Sequence, residues 1–180
     1  RYARLLVVWD FKDLVSEDFF PSINRSLIVG MANRWVDCVV ANSNAIAEAF
    51  IAQGGRKDKV RVIHNGIDLS QFHPDNKPSG LRASLGLDPE IHLVSIFSRL
   101  DRWKGHLYFL QAAAHTREVY PDVHFIIVRA TTFDNDGYAD ELHTLTRDLG
   151  LADRVHYLGF REDIADLMAM SDIVVHASTL

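Results

Sequence analysis

Short apolar runs alternate along this chain with stretches whose apolar residues recur every three or four positions. Residues 5–9, Leu-Leu-Val-Val-Trp, read as a short buried strand. Residues 23–35 carry a helical pattern, weakened by Gly30, and residues 37–41 form a second strand ending in Asn42-Ser43. Ser43 is placed to cap the next helix, in which Ile46, Ala49 and Phe50 share one face. Gly54-Gly55 stops that helix, and residues 60–64 form a strand of partly alternating polarity closed by Asn65-Gly66.

After residue 68 the character changes. Pro74, Asp75, Asn76, Lys77, Pro78, Ser79 and Gly80 form a polar, breaker-rich connection without periodicity. It reads as the passage between two domains, with a wide surface loop as the alternative. The pattern then becomes more regular. A strand at 91–97 leads to a helix at 106–118 with Leu107, Leu110 and Ala114 on one face. A strand at 123–128 leads to a helix in which Tyr138, Leu142, Leu145 and Leu149 recur at helical spacing. A strand at 155–158, a short helix with Ile164, Leu167 and Met168, and a strand at 172–176 complete the series. Strands separated by helices of this length imply right-handed crossovers and a parallel sheet, so the predicted fold is a doubly wound, Rossmann-like α/β architecture.

Chemistry concentrates in the segment Arg99-Leu100-Asp101-Arg102-Trp103-Lys104-Gly105. A strand, a short loop with cations and a helix N-terminus together suit phosphate. Arg offers a planar fork of donors, Lys a compact charge, and the helix its free N–H groups. An isolated Arg/Lys pair reads as a basic surface loop. The position after a buried strand favours a ligand, because open α/β sheets bind ligands outside the carboxyl ends of their strands.

Composition narrows the field. The chain has 180 residues, 48% of them hydrophobic, enough for a proper core. A net charge of −5, from 19 Lys and Arg against 24 Asp and Glu, argues against a nonspecific nucleic-acid binder. The single Cys38 lies within an apolar run and reads as a small buried residue; it excludes an intrachain disulfide and fits a reducing compartment. No apolar stretch approaches membrane-spanning length and no signal peptide is visible, so the expected location is cytoplasmic. The nine histidines do not pair at metal-ligand spacing. Neither a P-loop, a dinucleotide fingerprint nor a Gly-x-Ser-x-Gly elbow is present, and Cys38 is poorly placed as a nucleophile. The acids Asp134, Asp136, Asp140 and Glu141 read as a solvated loop and a helix first turn. Arg129 faces either a ligand or solvent, with solvent favoured.

Several segments together match one family. They are Arg-Leu-x-x-x-Lys-Gly after a strand, Asn65-Gly66-Ile67-Asp68 with Phe72 beyond it, and Leu149-Gly150-Leu151 with Arg154-Val155. Leu158-Gly159-Phe160-Arg161 and the closing Ser171-Asp172-Ile173-Val174-Val175-His176 complete the set. In this order and spacing the chain resembles the group 1 (family 4) retaining glycosyltransferases of GT-B architecture. The resemblance implies transfer of a sugar from a nucleoside-diphosphate sugar to a polysaccharide or lipid-linked acceptor, with retention and without a metal. Arg99 and Lys104 match the residues that hold the donor diphosphate, with Ser98 and Gly105 beside them. Gly159, Phe160 and Arg161 match the segment that contacts the nucleobase. Asn65 and Gly66 match a turn beside the cleft between domains.

The resemblance also implies the organisation. Residues 1–72 would be the end of the acceptor-side domain, 73–80 the linker, and 81–180 the donor domain, incomplete at both ends of the chain. Ser98 stands where many relatives have Gly, and Val128-Arg129-Ala130-Thr131-Thr132 replaces a glycine-containing turn. The family's acidic segment is expected beyond Leu180, and further βα units before Leu5. The chain alone is therefore expected to have little or no transferase activity and to expose unpaired sheet edges that favour aggregation. Relatives often dock peripherally on membranes through the acceptor domain. A noncatalytic sugar-nucleotide-binding module of the same fold is the alternative, with a GT-B epimerase or phosphorylase behind it.

Overall fold

A computed structural model describes residues 5–12, 21–73, 75, 81–129 and 137–179. The chain divides into two compact units, 1–67 and 68–180. Most of the expected linker at 73–80 lies outside the described residues, as do Ala130, Thr131, Thr132, Asp134 and Asp136.

The first unit contains β1 (Val8–Phe11), α1 (Ser22–Trp35), β2 (Cys38–Ala41), α2 (Asn44–Ala52) and β3 (Val60–Val62). Its strands form a parallel sheet in the order β1-β2-β3. Phe11, Val29, Ala32, Val39, Ile46 and Phe50 make its core, where apolar side chains from both helices close on the sheet. Ser43 caps α2 as expected, its side chain accepting from the Ile46 N–H at 3.3 Å.

Two readings are corrected here. The run 5–9 is not a buried strand: β1 begins at Val8, is paired only with β2 among the described strands, and leaves Leu5, Leu6 and Val8 exposed. Cys38 opens β2 in a half-buried position rather than in the core. Apolar sequence marks both segments as strand, but burial depends on what covers them, which a local pattern does not encode.

The second unit contains α3 (Leu81–Ser84), β4 (Leu93–Ser98), α4 (His106–Val119), β5 (His124–Arg129), α5 (Tyr138–Asp148), β6 (Val155–Phe160), α6 (Ile164–Met170) and β7 (Ile173–Val175). Its four parallel strands run β6-β5-β4-β7. One core, with Phe109, Leu110, Phe125, Ile127 and Leu142, joins α4 and α5 to the sheet. Another, with Leu87, Leu93, Ile126, Val128, Leu167 and Met170, joins the α3 region and α6 to it. Alternate residues of β5 enter different cores, so helices cover both faces. This is the doubly wound α/β fold that the alternation predicted. Strand order reverses between β4 and β7, and such a switch point opens a crevice at the carboxyl ends of the strands.

Candidate functional site

The switch point is occupied by the residues after β4. Leu100 is buried, and Arg102–Lys104 form a single 3-10 turn before α4. Arg99 is exposed and pairs with the Asp101 carboxylate at 3.2 Å. The Trp103 ring gathers two cations: Lys104 Nζ lies 3.8 Å from its centre and Arg99 Cζ 5.8 Å. Contact with an aromatic ring orients a cation while leaving its hydrogen-bond donors available.

Arg102 has a different job. Its guanidinium grips Glu141 in the first turn of α5, with contacts at 2.6 and 3.1 Å, and lies 4.9 Å from the centre of the Tyr138 ring. The hydrogen bond from Arg102 holds the Glu141 carboxyl below the ordinary carboxylate range. The loop is thereby tied to α5, in the first turn that the sequence marked as acidic.

On its other side the loop is tied to the chain leaving β7. Thr179 donates to the Trp103 carbonyl from its backbone N–H at 2.9 Å and from its hydroxyl at 3.3 Å. Gly105 packs against the same segment, and two constraints fix its identity. Its φ is +77°, and an added Cβ would stand 1.9 Å from the Ala177 carbonyl oxygen. Gly105 is therefore a packing and turning residue, whose backbone starts α4 immediately beneath the cations.

Ser98 turns its side chain away from the loop. Its hydroxyl meets His106 Nε2 at 3.0 Å in the protein interior. His106 is fully buried, and burial pulls its pKa down to about 4, against weaker opposing effects of Asp101. A neutral imidazole thus links the end of β4 to the first residue of α4. Ser98 acts by fixing this link.

The other strand ends align with this one. Ser98 is the register partner of Arg129, and Arg129 that of Phe160. A bulge near the end of β6 leaves Leu158 without a partner, and Gly159 adopts a φ of +65° beside it. Phe160 is left substantially exposed, and Arg161 donates through Nε to Asp163 at 2.7 Å, with a second contact through Nη2. That pairing raises the Arg161 pKa and lowers that of Asp163. Beneath these ends lies a cavity of about 270 Å³ lined by Leu100, Ile127, Arg129, His143, Tyr157 and Gly159, among others.

The structure therefore brings Ser98, Arg99, Lys104, Gly105, Gly159, Phe160 and Arg161 to one end of one sheet. Asn65 and Gly66 lie exposed after β3 and belong to the other unit. Sequence reasoning missed Trp103, whose place inside the Arg/Lys spacing was the available signal. It also favoured solvent for Arg129, which instead is half-buried and lines the cavity. Among the described residues no cluster of three or more His, Cys, Asp or Glu could hold a metal ion. None of the described helices is long and apolar enough to cross a membrane.

Comparison with known proteins shows the family and the fold. The sequence profile of glycosyl transferases group 1 matches residues 80–180, and that of glycosyltransferase family 4 matches residues 15–71. The chain belongs to the group 1 glycosyltransferases. It is similar to the crystal structure of Anabaena Alr3699/HepE in complex with UDP and glucose, with a TM-score of 0.85 and 38% identity. That match covers 97% of this chain and 47% of the other. The same Anabaena protein has also been solved with UDP-glucose. The D-inositol 3-phosphate glycosyltransferase of Mycolicibacterium gilvum (strain PYR-GCK) is 30% identical over 155 residues, 85% of this chain and 33% of that protein. A UDP-Gal:alpha-D-GlcNAc-diphosphoundecaprenol alpha-1,3-galactosyltransferase from Escherichia coli is 33% identical over 120 residues, 65% of this chain and 30% of that protein. The chain thus spans about a third of these curated relatives and about half of the solved one.

Proposed function

We propose that this chain is part of a glycosyltransferase that moves a sugar from a nucleoside-diphosphate sugar to a glycan, polysaccharide or lipid-linked acceptor, with retention at the anomeric carbon, and that residues 81–180 bind the donor. The observation that carries this reading is the Arg99–Trp103–Lys104 arrangement, fastened to α5 and to the segment after β7 at the switch point of the sheet. As the bond between the anomeric carbon and the diphosphate oxygen breaks, negative charge grows on the departing diphosphate. Fixed cations stabilise that charge more in the transition state than in the bound donor, which lowers the barrier. The α4 N-terminus adds its N–H groups at the same place. Arg99 and Lys104 supply the charge that a divalent cation supplies elsewhere, so we read the reaction as metal-independent. The UDP and UDP-glucose complexes of the Anabaena relative favour a uridine donor. The undecaprenol-linked acceptor named for the Escherichia coli relative favours a lipid-linked glycan, met at the cytoplasmic face of a membrane.

Incubating the full-length protein with UDP-sugars and an undecaprenyl-diphosphate-linked GlcNAc acceptor, and following UDP release together with glycosylation of the acceptor, tests the reading. One sugar should turn over, and Arg99→Ala or Lys104→Ala should lower kcat by about a hundredfold. Turnover left intact in both variants would remove these residues from the reaction.

A further inference from the structure

The sheet end holds a cation that the family resemblance does not account for. Arg129 closes β5, the strand between β4 and β6, and is the register partner of both Ser98 and Phe160. Neighbouring strands lie about 4.8 Å apart. Arg129 therefore stands one strand from the phosphate-loop candidate and one strand from the Phe160-Arg161 segment. It lines the cavity beneath them with apolar walls from Leu100, Ile127 and Ala139.

Its electrostatic situation differs from that of the other arginines at this edge. Arg99 has Asp101, Arg102 has Glu141 and Arg161 has Asp163. Arg129 has no carboxylate among the described residues, and its buried Nε has no hydrogen-bond acceptor among them. Burying a guanidinium donor without an acceptor is unfavourable, and apolar walls strengthen its pull on an incoming anion. Nε itself is closed to solvent, so an anion in the cavity would meet the terminal nitrogens of the guanidinium. Resting on the donor-site reading above, we infer that Arg129 is a further binding residue for the diphosphate of the nucleotide sugar. It would reach the diphosphate from the β5 side while Arg99 and Lys104 hold it from the β4 side. A planar fork suits this task because it can span two phosphate oxygens, which fixes the orientation of the diphosphate as well as its charge.

The test uses the full-length protein and three variants, Arg129→Ala, Arg129→Gln and Arg129→Lys, each checked for an unchanged thermal melt. Calorimetry follows UDP and saturation-transfer NMR follows uridine. Arg129→Ala and Arg129→Gln should weaken UDP about tenfold or more, Arg129→Lys should recover part of the loss, and uridine binding should change less than twofold. Three results overturn the inference. In the first, UDP binds both neutral variants as it binds the wild type, while Arg99→Ala still weakens it; the donor-site reading then stands without Arg129. In the second, UDP and uridine weaken equally, which makes Arg129 a structural or base-contacting residue. In the third, wild-type protein binds no UDP, and the donor-site reading falls with it.

Discussion

Gly105 shows how much one residue fixes at this site. A left-handed φ and a carbonyl oxygen 1.9 Å from where a Cβ would sit act on the same atom. Gly105→Ala should destabilise the second unit by at least about 2 kcal/mol, read as a fall in denaturant midpoint, since backbone strain and a backbone clash add. Wild-type stability in that variant would mean the loop does not rest on the Ala177 segment. Arg99, Lys104 and Gly105 were legible in the sequence because their chemistry is local: cations after a strand and a glycine before a helix. Trp103 and Arg129 were not. The Trp103 role arises from where two neighbouring side chains settle, and Arg129 owes its place to strands 31 residues to either side, Ser98 and Phe160. Register of that kind has no signature in a single strand.

Among elements, β4 and α4 are joined by the Ser98–His106 contact, and this junction should respond to pH. The folded pKa of about 4 lies below the unfolded value of 6.5, so the unfolded chain binds more protons between these two pH values. Stability from this residue is complete above about pH 6.5 and declines as pH falls toward 4. The loss over that window is on the order of 2–3 kcal/mol, allowing for partial relaxation around the charged ring. Denaturation of wild type and His106→Gln across pH 4–7.5 isolates it: the wild-type slope should flatten in the variant. Parallel slopes would show that His106 titrates normally. Helices were legible at this scale because period and caps are written locally, as at Ser43 and α2. The order β6-β5-β4-β7 was not, since which strand lies beside β4 depends on how the crossovers pack. The same reason explains residues 5–8, whose apolar run predicted a buried strand but stands exposed among the described residues.

At the scale of the molecule, two compact α/β units correspond to sequence profiles of one family's two parts, at 15–71 and 80–180. The candidate chemistry gathers in the second unit, where the strand order reverses and where the loop is held from both sides. The central claim is that this loop holds a nucleoside diphosphate. Calorimetric titration of the full-length protein with UDP, GDP and ADP tests it most directly, repeated with Arg99→Ala, Lys104→Ala and the double variant. The account predicts saturable binding, tightest for UDP, weakened by about 1–3 kcal/mol in each single variant and further in the double. Wild-type protein that folds and binds none of the three, or variants that bind UDP undiminished, would contradict it.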